Sequence, residues 1–143
     1  MKLEEIFEEI KNDSEIDMHR IDHESVKLPS MHSKYLTLRA KEKILLKSLN
    51  IQYASAYKDR WLFYAGKATP QQYKDENFDL KVMRGDVDIF IAADKTLKEL
   101  KDKISVQETK VETIEDFLKA IMQRHWQLSN AIKWQQMMQG GLA

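Results

Sequence analysis

The sequence lacks cysteine and has little proline or glycine: of its 143 residues, two are Pro and four are Gly. The absence of cysteine excludes disulfide bonds and thiol catalysis. The scarcity of Pro and Gly favours long helices over a fold of short strands and tight turns. The longest apolar run is far below the roughly 18 residues of a membrane span, and residues 1–10 are acidic and amphipathic, unlike a secretory signal. We therefore expect a soluble, intracellular protein.

The charge is balanced in total but not along the chain. Lys and Arg number 23, as do Asp and Glu. The net charge is −5 over residues 1–29, +6 over residues 30–67 and −1 over residues 68–143. A basic middle segment suggests an anionic partner. Packing of the acidic head on the basic middle would explain the same pattern.

The apolar spacing predicts a mainly α fold with long antiparallel or coiled helices. A short helix is expected over residues 2–12 and another before Pro29, which should break it. From residue 30 to residue 65 there is no Pro or Gly, and Gly66 follows, so one long helix of about 50 Å is predicted. A helix of this length exceeds what a small core covers, and its exposed part would need a partner.

The middle and the end of the chain differ in regularity. Residues 67–88 form a loop-like region, and DIFIA at residues 88–92 is either a short strand or the start of a buried helix. After it, a heptad seam alternates steps of three and four, with one polar member, and predicts a helix packed lengthwise on another, within the chain or between chains. The seam consists of Leu97, Leu100, Ile104, Gln107, Val111, Ile114, Leu118 and Ile121. Trp126 and Trp134 either add subunit contacts or complete the monomer core.

The segment YKDRWLFYAGK, residues 57–67, mixes cations with aromatic residues. On an ideal helix, four cations fall within about 100° of the surface: Arg39, Lys43, Lys47 and Lys58. Arg60 and Lys67 share a second side. By itself, the aromatic row Tyr53, Tyr57, Trp61 and Tyr64 is more typical of a core than of a ligand surface. Together, cations for phosphates and rings for bases favour single-stranded nucleic acid.

Two stretches carry a family resemblance. Lys58, Arg60, the aromatic run 61–64 and Gly66 resemble the ssDNA-binding segment of the UvsY family of phage recombination mediators. The stretch QRHWQLSNAIKW, residues 123–134, resembles the tail of that family. The resemblance covers most of the chain and is weakest over residues 67–95.

The resemblance implies a protein without enzymatic activity or cofactor. It would bind ssDNA and promote loading of a phage RecA-like recombinase onto ssDNA covered by single-strand-binding protein, in the host cell cytoplasm. It implies a ring-like homo-oligomer, with a heptamer expected. Lys58 and Arg60 would be the main ssDNA contacts, although Asp59 between them is unfavourable for phosphate. Residues 1–92 would form the ssDNA-binding region and residues 93–143 the oligomerisation region.

The expected site residues form two sets. The nucleic-acid-binding set is Lys58, Arg60, Lys67, Trp61, Tyr57, Tyr64, Arg39, Lys43 and Lys47. The oligomerisation set is Leu97, Leu100, Ile104, Val111, Ile114, Leu118, Ile121, Trp126 and Trp134.

Other functions have less support in the sequence. The main alternative is a helical scaffold or adaptor whose basic helix docks on an acidic protein, and a second is a small duplex-binding regulator. His19 and His23 have the spacing of a helical metal pair but lack a third ligand. The sequence contains no phosphate-binding loop and no recognisable catalytic triad.

Overall fold

The computed structural model describes residues 1–140, which fold into helices without any strand. The α-helices within this range are α1 (Leu3–Ser14), α2 (Ile21–Tyr64), α3 (Pro70–Asp75), α4 (Val87–Ala92) and α5 (Lys95–Met138), with 3-10 turns at Met18–Arg20 and Arg84–Asp86. The expected mainly α class is confirmed. The chain divides into two compact units: unit 1 is Met1–Ile44 with the chain from Glu108 onward, and unit 2 is Leu45–Gln107.

Helix α2 begins nine residues earlier than predicted, because Pro29 lies inside it rather than ending it. An internal proline loses one backbone hydrogen bond and costs about 3 kcal/mol. Three apolar side chains at seven-residue intervals, Ile21, Leu28 and Tyr35, are buried on one face of α2. Burial of each contributes about 1.5–3 kcal/mol, which offsets the loss at Pro29.

The end of α2 is fixed by Gly66, as the sequence predicts. Gly66 adopts a φ of 80°, in the left-handed region. Its N–H donates to the carbonyl of Phe63 at 3.2 Å, and the N–H of Lys67 donates to the carbonyl of Leu62 at 2.9 Å. This pair of bonds is the Schellman motif, which satisfies carbonyls that the last helical turn leaves without partners.

The segment after α2 is more helical than predicted. Of the two alternatives for residues 88–92, the strand is not seen and the helix is: these residues belong to α4, where Val87 and Ile91 are buried one turn apart. Helix α3 lies inside the predicted loop. Thr69 accepts a hydrogen bond from the N–H of Gln72 and caps α3, and Pro70 occupies the first helical position. A capping threonine followed by proline is a helix-start signal that the loop prediction overlooked.

Each unit has its own apolar core. The core of unit 1 contains Ile6, Ile21, Leu28, Tyr35, Ile114, Phe117, Leu118, Ile121 and Leu128. The core of unit 2 contains Phe63, Tyr64, Val87, Ile91 and Leu97, with several further aromatic rings packed against it. No helix within residues 1–140 carries an apolar stretch sufficient to cross a bilayer.

Hydrogen bonds between side chains and to backbone carbonyls tie the elements of unit 1 together. The guanidinium of Arg124 donates to the carbonyls of Asp13 and Ser14, both at 2.9 Å. These carbonyls lie at the C-terminal end of α1, where a cation is favoured. The carboxylate of Asp13 accepts from Lys34 and from the Tyr35 hydroxyl, each at 2.7 Å. Burial alone would raise the pKa of Asp13, but these two donors hold it below its usual value.

Candidate nucleic-acid interface

The last turns of α2 carry an exposed cation. Lys58 is exposed, and no carboxylate within residues 1–140 lies within 4.0 Å of its ammonium. Lys47, eleven residues earlier and about 20° away around the helix, is likewise exposed and without an ion pair in this part of the chain. Asp59 is exposed beside Lys58 and lowers the local positive potential. Both lysines belong to unit 2.

Arg60 is held inside unit 2 by two carboxylates. Its Nε donates to Asp94 at 2.7 Å, and its Nη1 lies 2.9 Å from Glu76. The guanidinium carbon lies 4.3 Å from the ring centroid of Phe63. The side chain is only 15% exposed. The expected role of Arg60 as a main phosphate contact conflicts with this geometry, because its charge is already balanced and its donors are engaged.

The groups around Arg60 have shifted pKa values. Burial alone would raise the pKa of Asp94, but donors from Tyr64, the Leu97 N–H and Arg60 together lower it. Burial alone would lower the pKa of Arg60, but its bonds to Glu76, Tyr64 and Asp94 raise it. Burial and the bond to Asp94 raise the pKa of Tyr64. All three groups therefore keep their usual ionisation at neutral pH.

The aromatic row divides between core and surface. Tyr64 is buried, and its hydroxyl donates to Asp94 at 2.6 Å, so its ring is unavailable to a base. Tyr57 is 37% exposed, and its ring lies 6.2 Å from that of Tyr53. Trp61 is half-buried, with the ammonium of Lys67 5.9 Å from its ring centroid. Tyr57 is thus the exposed ring of the predicted set, while Trp61, which also packs against the core of unit 2, presents only part of its ring to a ligand.

The two remaining predicted cations belong to unit 1. Lys43 lies 3.3 Å from Glu115, in an exposed ion pair that partly balances its charge. Arg39 is half-buried and has no ion pair within residues 1–140. The exposed pair between Lys43 and Glu115 contributes little to stability, so Lys43 can leave Glu115 and bind a phosphate instead.

The predicted oligomerisation set also divides. The seam is packed within the single chain: Leu97, Val111, Ile114, Leu118 and Ile121 are buried, and Leu100 and Ile104 are half-buried. Five of these seven side chains are therefore already covered within one chain and have little surface left for a neighbouring subunit, whereas Leu100 and Ile104 keep part of theirs. Trp126 and Trp134, by contrast, are 71% and 58% exposed.

Sequence reasoning missed the acidic partners of Arg60 and two cations of α5. Glu76 and Asp94 lie 16 and 34 residues from Arg60, so no local pattern relates them to it. Lys98 follows the seam residue Leu97, and Lys101 follows the seam residue Leu100. Both lysines line a concavity together with Tyr53 and Tyr57. Two lysines three residues apart, each next to an apolar seam residue, were the sequence signal that could have indicated this cationic wall. Within the described part of the chain, no three His, Asp or Glu side chains are grouped to hold a metal ion.

Comparisons with known proteins bear on the family and the fold of the chain. Residues 9–141 match the family model described as recombination, repair and ssDNA binding protein UvsY. No curated protein matches the chain. Three crystal structures of the bacteriophage T4 recombination mediator protein UvsY are similar in fold, with TM-scores of 0.82, 0.83 and 0.80.

The similarity to these structures extends over nearly the full length. The three alignments have sequence identities of 20%, 21% and 17% and cover 96%, 99% and 94% of this chain. They cover 99%, 99% and 98% of the T4 chains. At such low identity the likeness establishes the fold, while the family match over most of the sequence establishes membership. The chain belongs to the UvsY family of recombination and repair proteins.

Proposed function

We propose that this protein is a recombination mediator that binds ssDNA and promotes loading of a phage RecA-like recombinase onto ssDNA covered by single-strand-binding protein. Family membership supports the general role. The observation that carries the ssDNA assignment is the surface of α2 in unit 2. There Lys58, exposed and without an ion pair within residues 1–140, lies one turn from the half-buried Trp61 and next to the exposed Tyr57. Lys47 lies on the same side of α2 as Lys58, about three turns earlier.

This surface suits a single strand better than a duplex. Lysines attract phosphates with little regard to sequence, and exposed rings stack on unpaired bases. In a duplex the faces of the bases are covered by neighbouring bases, so the rings of Tyr57 and Trp61 would have no base to stack on. We assign the direct phosphate contacts to Lys47, Lys58 and Lys67. Arg60 acts as a positioning residue that ties the last turn of α2 to Glu76 and Asp94 within unit 2.

Mediator activity would follow from several such surfaces acting together. A ring-like homo-oligomer, with a heptamer expected, would present one surface per subunit to the same strand. Linked sites gain affinity well beyond that of one site, by a factor of about 10² to 10⁴. A strand held in this way would be less tightly held by single-strand-binding protein and open to the recombinase, in the cytoplasm of the host cell.

The test measures anisotropy of labelled oligo-dT and of a matched duplex across a salt series. Wild-type protein should prefer oligo-dT, with binding that weakens steeply as salt rises. Lys58→Ala should lower the affinity and reduce the slope of log K against log salt by about 0.7 per subunit contacting DNA, because one phosphate contact is lost.

The control is Lys119→Ala, which removes an exposed lysine of α5 in unit 1 that has no ion pair within residues 1–140. It should leave affinity and slope unchanged. Equal effects of Lys58→Ala and Lys119→Ala would contradict the site. If the wild type fails to bind oligo-dT at low salt and binds an acidic protein instead, the mediator function is refuted and the scaffold or adaptor function is supported.

A further inference from the structure

Unit 2 contains a concavity between α2, α4 and α5, of about 350 Å³. This volume lies at the small end of the range for ligand sites, about 300–1,000 Å³. Tyr53 and Tyr57 contribute one wall from α2, and Lys98 and Lys101 contribute another from α5. Asp88 of α4 completes the charged lining. The lining therefore combines two aromatic rings with two cations and one anion.

The two walls are already in electrostatic contact. The ammonium of Lys101 lies 5.8 Å from the ring centroid of Tyr53. Neither Lys98 nor Lys101 has an ion pair within residues 1–140, so both charges are available to a ligand. The ring of Tyr57 is exposed enough to be covered by a flat group. Rings for stacking and unpaired ammonium groups for phosphate are the two components of a site for single-stranded nucleic acid.

The concavity adjoins the ssDNA surface of α2. On an ideal helix, Lys58, Trp61 and Tyr57 span about 100° of the surface in that order, and Tyr53 lies about 40° further in the same direction. A strand bound at Lys58 thus passes Trp61 and reaches the concavity on the side of Tyr57. The net charge of the concavity is positive, since its two lysines outnumber Asp88.

We propose that this concavity binds one nucleotide of ssDNA, with a base stacked on Tyr57 and the adjoining phosphates on Lys98 and Lys101. The inference rests on the proposed function and adds α5 to the ssDNA path. The phosphates lie on the α5 side, away from the carboxylate of Asp88. Lys98 and Lys101 are then ssDNA contacts on the helix that was expected to serve only self-association.

The phosphate contacts are tested by a matched pair of double variants, measured by oligo-dT anisotropy across salt. Lys98→Ala with Lys101→Ala should weaken binding about tenfold at low salt and lower the salt slope by about 1.4, the value for two contacts on a single strand. The control, Lys95→Ala with Lys103→Ala, removes two exposed lysines of α5 that do not line the concavity. It should change neither quantity.

The stacking contact is tested with Tyr57→Leu and Tyr57→Phe on oligo-dT and on an abasic oligonucleotide of equal length. Tyr57→Leu should weaken oligo-dT binding about tenfold, as expected for the loss of one stacked base. Tyr57→Leu should leave the affinity for the abasic oligonucleotide unchanged. Tyr57→Phe should keep the wild-type affinity for both oligonucleotides. Equal loss on both oligonucleotides would refute stacking.

Two further outcomes separate this inference from the proposed function. If wild-type protein binds oligo-dT, Lys58→Ala weakens it and the Lys98/Lys101 variant does not, the concavity is no part of the path and only the inference is overturned. If wild-type protein binds no ssDNA, both are overturned. Circular dichroism of each variant should show unchanged helix content, since the substituted side chains lie at the surface of a formed cavity.

Discussion

Asp94 is the residue on which the packing around Arg60 depends. One of its oxygens accepts from Tyr64 and from Arg60, and the other accepts from the N–H of Leu97 at 3.0 Å and caps the start of α5. The carboxylate is only 2% exposed. A buried charge that loses its partners is strongly destabilising, so the cap, the tyrosine and the arginine support one another.

We predict that Asp94→Asn lowers the free energy of unfolding at pH 7 by about 2 kcal/mol. Asparagine keeps the shape and the helix cap but removes the charge that Arg60 and Tyr64 recognise. The difference should depend on pH. The pKa of Asp94 in the folded state lies below the usual 3.8, so the carboxylate stabilises fully above that value and progressively less as acid protonates it.

Urea denaturation of both proteins at pH 7 and at pH 2.5 measures this dependence. The gap between wild type and variant should narrow in acid. The pKa of Asp13 is also lowered, but its contribution is common to both proteins and cancels in the difference. A gap that stays constant between the two pH values would mean that the charge of Asp94 is not the source of the stabilisation.

Among the helices, regular apolar spacing was a sound guide and isolated breakers were not. The seam of α5 has the predicted register, because a repeat sustained over several heptads averages out single exceptions such as Gln107. Pro29 was overruled by apolar side chains on both sides of it. The six residues of α4 were ambiguous, because a short apolar run fits a strand and a buried helix equally well.

The site was predictable only where it depends on local spacing. Lys58 and Tyr57 are exposed on α2 where a helical projection puts them, and Trp61 is half-buried. The ion pairs of Arg60 with Glu76 and Asp94 could not be predicted, because tertiary packing brings these residues together from distant parts of the sequence. The burial of Tyr64 likewise depends on tertiary contacts, including the hydrogen bond from its hydroxyl to Asp94.

The C-terminal end of α2 gives a prediction about backbone conformation. Gly66→Ala should lower the free energy of unfolding by about 1–2 kcal/mol, the cost of placing a side chain in the left-handed region. No atom lies within 4 Å of the added Cβ, so strain in the backbone is the only expected cause. Thermal unfolding followed by circular dichroism measures the effect.

Gly85→Ala is the matched control for that variant. Its added Cβ also meets nothing within 4 Å, and its φ is not positive. Alanine there should be neutral or stabilise by about 0.4–1 kcal/mol, because it restricts the unfolded chain. Equal destabilisation by both substitutions would argue against the left-handed cap as the cause.

On the scale of the whole molecule, each unit is held by a similar trio of side chains. Unit 1 uses Asp13 with Tyr35 and Lys34, and unit 2 uses Asp94 with Tyr64 and Arg60. In both trios a tyrosine hydroxyl and a cation share one carboxylate of lowered pKa. In unit 2 the trio pairs charged groups that would otherwise be costly to bury, whereas in unit 1 Lys34 stays exposed and Tyr35 is the buried member.

The C-terminal part of α5 carries a group of exposed apolar side chains. Met122, Trp126, Trp134, Met137 and Met138 are exposed there. On an ideal helix they lie within about 160° of each other, opposite the buried side that contains Leu128. Exposed aromatic and methionine side chains in such a group are typical of protein interfaces. We propose this surface, rather than the buried seam, as the contact between subunits.

Replacing both tryptophans tests that contact. Trp126→Glu with Trp134→Glu should reduce the assembly to smaller species in sedimentation velocity, because unpaired carboxylates would have to be buried at the interface. The control is Val26→Glu, which makes the same kind of change at a 77% exposed position of α2 in unit 1. It should leave the sedimentation profile unchanged, and both variants should keep wild-type helix content. An assembly that persists in the double variant would exclude this surface. Dissociation in the double variant should also flatten the dependence of binding on oligo-dT length, since a single subunit offers one site in place of many.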